Sequence, residues 1–126
     1  MRYLIDTHVL IWAFRDSARL PARVANLLSD PANEILVSAV TAYEIEFKRP
    51  RSSDLQKLPA DLSEGVAAMD FHWLAISHEH AILAGRLPRL HGDPFDRLLA
   101  AQALVENATL VTSDPWIAPY GAPVVW

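Results

Sequence analysis

The stretch Arg2-Tyr3-Leu4-Ile5-Asp6-Thr7-His8 decides how the chain reads. Four residues of strand character stop at an aspartate, and a helical pattern over Val9–Phe14 follows at once. A strand that runs directly into a helix reads as the opening of a parallel βαβ crossover. The same order recurs outward from it. Strand candidates are Arg2–Ile5, Glu34–Val37, Trp73–Ile76, Thr109–Thr112 and Pro123–Val125. Most are short and apolar without strict alternation, as expected of strands covered on both faces. Helical patterns lie between them: Val9–Phe14, a second near Pro21–Leu28, Ala39–Lys48 behind the cap residue Ser38, and a fourth near Pro59–Ala68. Two more are His78–Leu87, capped by Ser77, and a long one from Asp93-Pro94 to about Asn107. Pro21 and Pro94 suit first helical turns, and Pro50 stops the third helix. The alternation predicts an α/β fold, a three-layer sandwich around a mainly parallel central sheet. Arg49–Lys57, with its proline and two serines, reads as a mobile loop.

Composition narrows the class. At 126 residues the chain is expected to form a single domain over 1–126 with a core of its own. Hydrophobic residues at 52% and charged ones at 21% suit a compact fold and argue against disorder. The absence of cysteine excludes disulfides, zinc–thiolate sites and thiol catalysis. The first residues meet a charge too soon for a signal peptide, and no apolar run can span a bilayer, so a cytoplasmic protein with no membrane partner is expected. The net charge of −4 does not favour a nucleic-acid partner bound by phosphate contacts alone.

Four acids carry the chemistry. Asp6 follows the first strand, Glu44 lies in the helix after Ile35-Leu36-Val37, Asp96 sits in Asp93-Pro94-Phe95-Asp96-Arg97, and Asp114 follows Leu110-Val111-Thr112-Ser113. Carboxylates gathered at the carboxyl edge of a parallel sheet repel one another unless protons or cations neutralise them. Hard ions such as Mg²⁺ or Mn²⁺ do so with oxygen ligands and activate water against phosphodiesters, which points to a metal-dependent nuclease. Each acid also has an ordinary reading. Asp6, Asp93 and Asp114 are good helix N-caps, and Asp96 suits a first helical turn. Glu44 flanks a stripe of Val40, Tyr43 and Phe47 expected to be buried, and it stands four residues before Lys48, within ion-pair reach. The recurrence of the pattern four times is what favours a shared site.

Other features read as structural. His78-Glu79-His80 falls at a helix start, where i and i+2 diverge, and reads as solvated. His91 is a loop histidine before Asp93. Lys48, Arg49, Arg51 and Lys57 form a loose basic cluster suited to a helix C-terminus. Trp73 and Trp126 read as core or strand-end packing, whereas Trp12 and Phe14 leave apolar surface that suggests a protein partner.

Leu4-Ile5-Asp6-Thr7-His8, Val37-Ser38 with Tyr43-Glu44-Ile45, Asp93 through Ala103, and Leu110-Val111-Thr112-Ser113-Asp114 together resemble the PIN-domain family. More narrowly, the chain is similar to the VapC-type ribonuclease toxins of prokaryotic toxin–antitoxin systems, from Met1 to the Pro-Val-Val-Trp ending. The resemblance implies an α/β/α sandwich, often a homodimer, that cleaves an RNA substrate with Mg²⁺ or Mn²⁺ and is silenced by a cognate antitoxin protein. It implies a catalytic quartet of Asp6, Glu44, Asp96 and Asp114, with Asp6, Asp96 and Asp114 as metal ligands. Asp93, Thr112 and Ser113 would be accessory. Tyr43 stands where relatives commonly carry Trp, and Pro50–Leu58 departs from the helix that relatives often continue there.

Two other classes compete. A phosphatase acting through an aspartyl phosphate at Asp6 would want a second Asp two positions on, where His8 stands. A non-catalytic binding module would use the acids only as caps.

Overall fold

In the computed structural model, which describes residues 1–90 and 93–126, eleven helices and strands carry the fold among the described residues. They are β1 (Arg2–Ile5), α1 (Thr7–Arg15), α2 (Ala22–Ser29), β2 (Glu34–Ser38), α3 (Ala39–Lys48), α4 (Leu62–Ala68), β3 (His72–Leu74), α5 (His78–Arg86), α6 (Pro94–Val105), β4 (Thr109–Val111) and β5 (Val124–Val125). The strands form one sheet in the order β3-β2-β1-β4-β5. Every pairing is parallel, with Ile5 opposite Val37 on one side and Val111 on the other.

The strand sequences explain why helices cover both faces. Side chains alternate across a strand, and here both sets are apolar. Leu4, Leu36 and Leu110 enter a core with Ala84, Leu87, Leu99, Ala100 and Ala103, the side of α5 and α6. Ile5, Ile35, Val37 and Val111 enter a second core with Val9, Leu10, Val24, Ile45 and Val66, the side of α1, α2 and α4. The α/β sandwich is thus the observed fold, with a sheet parallel throughout. Its small alanines let α6 lie close to the sheet: Ala100, Ala101 and Ala103 are fully buried.

The chain first winds from β1 to β2 and β3, then returns to the other side of β1 for β4 and β5. Where the winding reverses, between β1 and β4, the connections leave the carboxyl edge in opposite directions and open a crevice.

Several local expectations are corrected. The third strand spans His72–Leu74, earlier than Trp73–Ile76, because it pairs in register with Leu36–Ser38. The fourth helix begins at Leu62, where Asp61 caps it, not at Pro59. Asp114, read as a helix N-cap, is followed by turns and then a 3₁₀ segment over Ala118–Tyr120. Arg49–Lys57 is not an irregular loop. It holds two 3₁₀ turns, and Arg49 ties it down through the carbonyls of Leu55, Leu58 and Pro59.

The buried side of α3 is Val40, Thr41 and Ile45, while Tyr43 and Phe47 are 58% and 68% exposed. Hydropathy alone favours the aromatic side, but Thr41 is buried through a hydrogen bond to Thr7. His78 is exposed as expected, but His80 is buried: its Nδ1 accepts the Ser77 N–H and its Nε2 meets Glu106 at 2.9 Å. Trp73 is 38% exposed. Trp12 is half-buried against Trp126 and Phe14 is half-buried beside Gly65, whereas the exposed rings of Tyr43 and Phe47 lie together on α3. His91 lies outside the described residues.

Candidate functional site

The four acids meet where the sheet changes direction. Asp6 leaves β1, Asp114 follows β4, Glu44 descends on α3 from the end of β2, and Asp93 and Asp96 open α6. All five line one cleft of about 310 Å³, with Ser113 in its wall. Thr112 lies just behind, buried. No acid expected at the site falls elsewhere.

Each carboxylate is held by a specific partner. Asp6 caps α1, taking the Val9 N–H at 2.9 Å on one oxygen, and its other oxygen accepts the Thr112 hydroxyl. The same hydroxyl accepts the Asp114 N–H at 3.0 Å, so Thr112 couples the two acids across the crevice. Asp114 in turn accepts the Trp116 N–H at 2.9 Å. Glu44 accepts the Thr7 hydroxyl at 2.8 Å and pairs with Lys48 at 2.7 Å. Asp93 caps α6 through Phe95 and Asp96. The capping readings therefore hold together with convergence. Helix N-termini that follow parallel strands sit at the same edge as the crevice, so a cap there is also a cleft residue.

Electrostatics records the crowding. Burial pushes the Asp6 carboxyl up, against the pull of Thr112, Val9 and His8, and Asp114 adds to the rise. Asp96 is raised to about 7, first by burial, then by Asp93, Asp114 and Asp6, and by a hydrogen bond shared with Asp114. A hydrogen bond between two carboxyls needs a proton on one of them. The cluster thus holds a proton near neutrality, a place that a cation can take.

The donor set is carboxylate and hydroxyl oxygen, which fits a hard divalent ion better than a soft one. Among the described residues no three such groups are drawn together as a metal cage, and Asp6, Glu44, Asp93 and Asp114 each turn an oxygen to a protein donor.

Three residues in the wall are not evident from the sequence. Thr7 reads there only as a helper to the Asp6 cap, yet its hydroxyl bridges Glu44 and Thr41. His8 and Trp12 also line the cleft. The adjacency of Thr7 to Asp6 is the available signal for Thr7; the other two depend on how α1 lies against α3.

A parallel α/β sheet with an acidic cleft at its switch point defines the structural class. The PIN domain family matches residues 3–119, and the chain belongs to that family. It is 28% identical over 127 residues to Ribonuclease VapC22 of Mycobacterium tuberculosis, an alignment spanning 98% of this chain and 97% of that protein. Among solved structures it is similar to VapBC2 from Rickettsia felis bound to a promoter DNA fragment, with a TM-score of 0.78, 20% identity and coverage of 100% and 98%. DNA-bound VapBC from Salmonella typhimurium follows at 0.73 and 17%, over 99% and 97% of the chains.

Proposed function

We propose that this protein is a metal-dependent endoribonuclease toxin that hydrolyses RNA phosphodiester bonds and is neutralised by a cognate antitoxin. The observation that carries the reading is the convergence of Asp6, Glu44, Asp96 and Asp114 in one cleft, where burial and then the neighbouring acids raise Asp96 to about 7. The similarity to a protein named ribonuclease and to VapBC complexes supports the substrate and the partner.

In this reading Asp6, Asp96 and Asp114 would hold Mg²⁺ or Mn²⁺. The bound ion would polarise the phosphate and lower the pKa of a water. Glu44, steadied by Thr7 and Lys48, would orient an attacking water. Thr112 fixes the Asp6 carboxylate, Asp93 sets the first turn of α6, and Ser113 offers a hydroxyl to the phosphate. The aspartyl-phosphate alternative is disfavoured because His8 stands where that chemistry wants a second Asp. We further propose a homodimer, supported by the exposed rings of Tyr43 and Phe47, which adjoin the half-buried Phe95; sedimentation velocity reads the oligomeric state directly.

Asp6→Asn and Asp96→Asn test the assignment. Each should lower the cleavage of labelled RNA by at least about a hundredfold while the chain stays folded by circular dichroism. Parental cleavage by either folded variant refutes the catalytic roles of these two acids.

A further inference from the structure

A second cleft, about 470 Å³ in volume, adjoins the acidic one and shares Thr7, His8, Trp12 and Glu44 with it. α1 runs along both, contributing Thr7, His8 and Trp12 to the wall between them. Past the shared wall the lining changes: Arg15, Arg19 and Lys48 enter, with Asp16 and Asp54 beyond. Lys48 is committed to Glu44. Arg15 places one N–H on the backbone carbonyl of Asp54 at 3.2 Å, and a guanidinium carries five N–H donors.

Trp12 lies at the join. The Arg19 guanidinium carbon stands 4.5 Å from its ring centroid, with the rings of His8 and Trp126 at 5.9 and 5.8 Å. Flat aromatic and guanidinium surfaces of this kind receive unstacked nucleobases. The shared wall offers a strand whose phosphate enters the acidic cleft a path into the second depression.

We infer that Trp12 and Arg19 form the seat for a nucleobase next to the cleaved bond, with Arg15 as a contact for its phosphate. This rests on the ribonuclease reading and adds where the strand runs. A base in a duplex keeps its faces stacked on its neighbours, so the seat selects single-stranded RNA. Stacking tolerates any base, so the seat adds affinity with little sequence preference. The wall shared with the acidic cleft and the guanidinium over the Trp12 ring favour a nucleic-acid strand here.

The experiment is fluorescence anisotropy of a short labelled single-stranded RNA of mixed sequence, in chelator so that no cutting occurs. Arg19→Ala and Trp12→Ala should each weaken binding about fivefold or more, and Trp12→Phe should restore most of the loss. Arg15→Ala should weaken binding and reduce its salt dependence by about one phosphate contact. Arg86→Ala, from a residue that lines neither cleft, should bind as the parent does. The inference is overturned if the parent does not bind, if Arg19→Ala and Trp12→Ala bind like the parent, or if Arg86→Ala loses as much. It is also overturned if Arg19→Ala keeps RNA binding and loses only inhibition by a protein partner, which would make the groove that partner's seat. Failure of the ribonuclease reading looks different: RNA binds, the variants weaken it, and Mg²⁺ brings no cleavage.

Discussion

Asp96 binds a proton more tightly in the folded protein than in the unfolded chain, since its pKa rises from 3.8 to about 7. Between those values the folded state holds more protons, so raising the pH costs stability. In chelator, stability measured by denaturant titration should fall as pH rises from about 4 to about 7 and level off above. Asp6, raised in the same direction, adds to the decline. Asp96→Asn should flatten most of it. A profile that rises across this window contradicts the raised carboxyls. Thr112 offers a second test at this scale. Thr112→Val keeps the shape but removes the donor to Asp6 and the acceptor for the Asp114 N–H. It should cost about 1–3 kcal/mol of stability and about tenfold to a hundredfold in metal affinity; unchanged values would show that the hydroxyl does not organise the acids. The acids are legible in the sequence because each sits at a fixed offset from an apolar strand or a proline. Thr7, Trp12 and the buried His80 are not, since their partners Glu44, Arg19 and Glu106 lie on other elements.

At the scale of elements, the N-terminus of α3 is the joint that fixes Glu44. Ser38 caps it at the Val40 N–H and donates to the Gln102 side chain on α6, the helix that carries Asp96. Both side chains are fully buried. Ser38→Ala should therefore cost about 1–3 kcal/mol in thermal or chemical unfolding, as it removes a cap and leaves a buried amide oxygen without its donor. A loss below a few tenths would show that the joint does not hold the two helices together. Arg97 does similar work at the other end of α5, donating to the carbonyls of Ala84, Leu87 and Pro88. These links are hidden in the sequence. Ser38 is recognisable there as a cap, but its reach to Gln102 depends on how α3 crosses α6. The same dependence hides which side of α3 is buried, where Thr41 outweighs the aromatic side.

For the whole molecule, strand–helix alternation is enough to give the sheet, because strands apolar on both faces permit little besides a covered parallel sheet. Strand order is not legible, and it is the order that places Asp6 and Asp114 on either side of the switch point. The net charge of −4 also takes its meaning at this scale: acids concentrate in one crevice, while in the adjoining one Arg15, Arg19 and Lys48 offset Asp16, Glu44 and Asp54. The central claim is that the crevice is a divalent-cation site. Isothermal titration with Mn²⁺ tests it most directly, on the parent and on Asp6→Asn, Asp96→Asn and Asp114→Asn. Saturable, stoichiometric binding by the parent that each substitution weakens at least about tenfold is the expected result. No binding by the parent, or binding that survives all three substitutions, would contradict the claim.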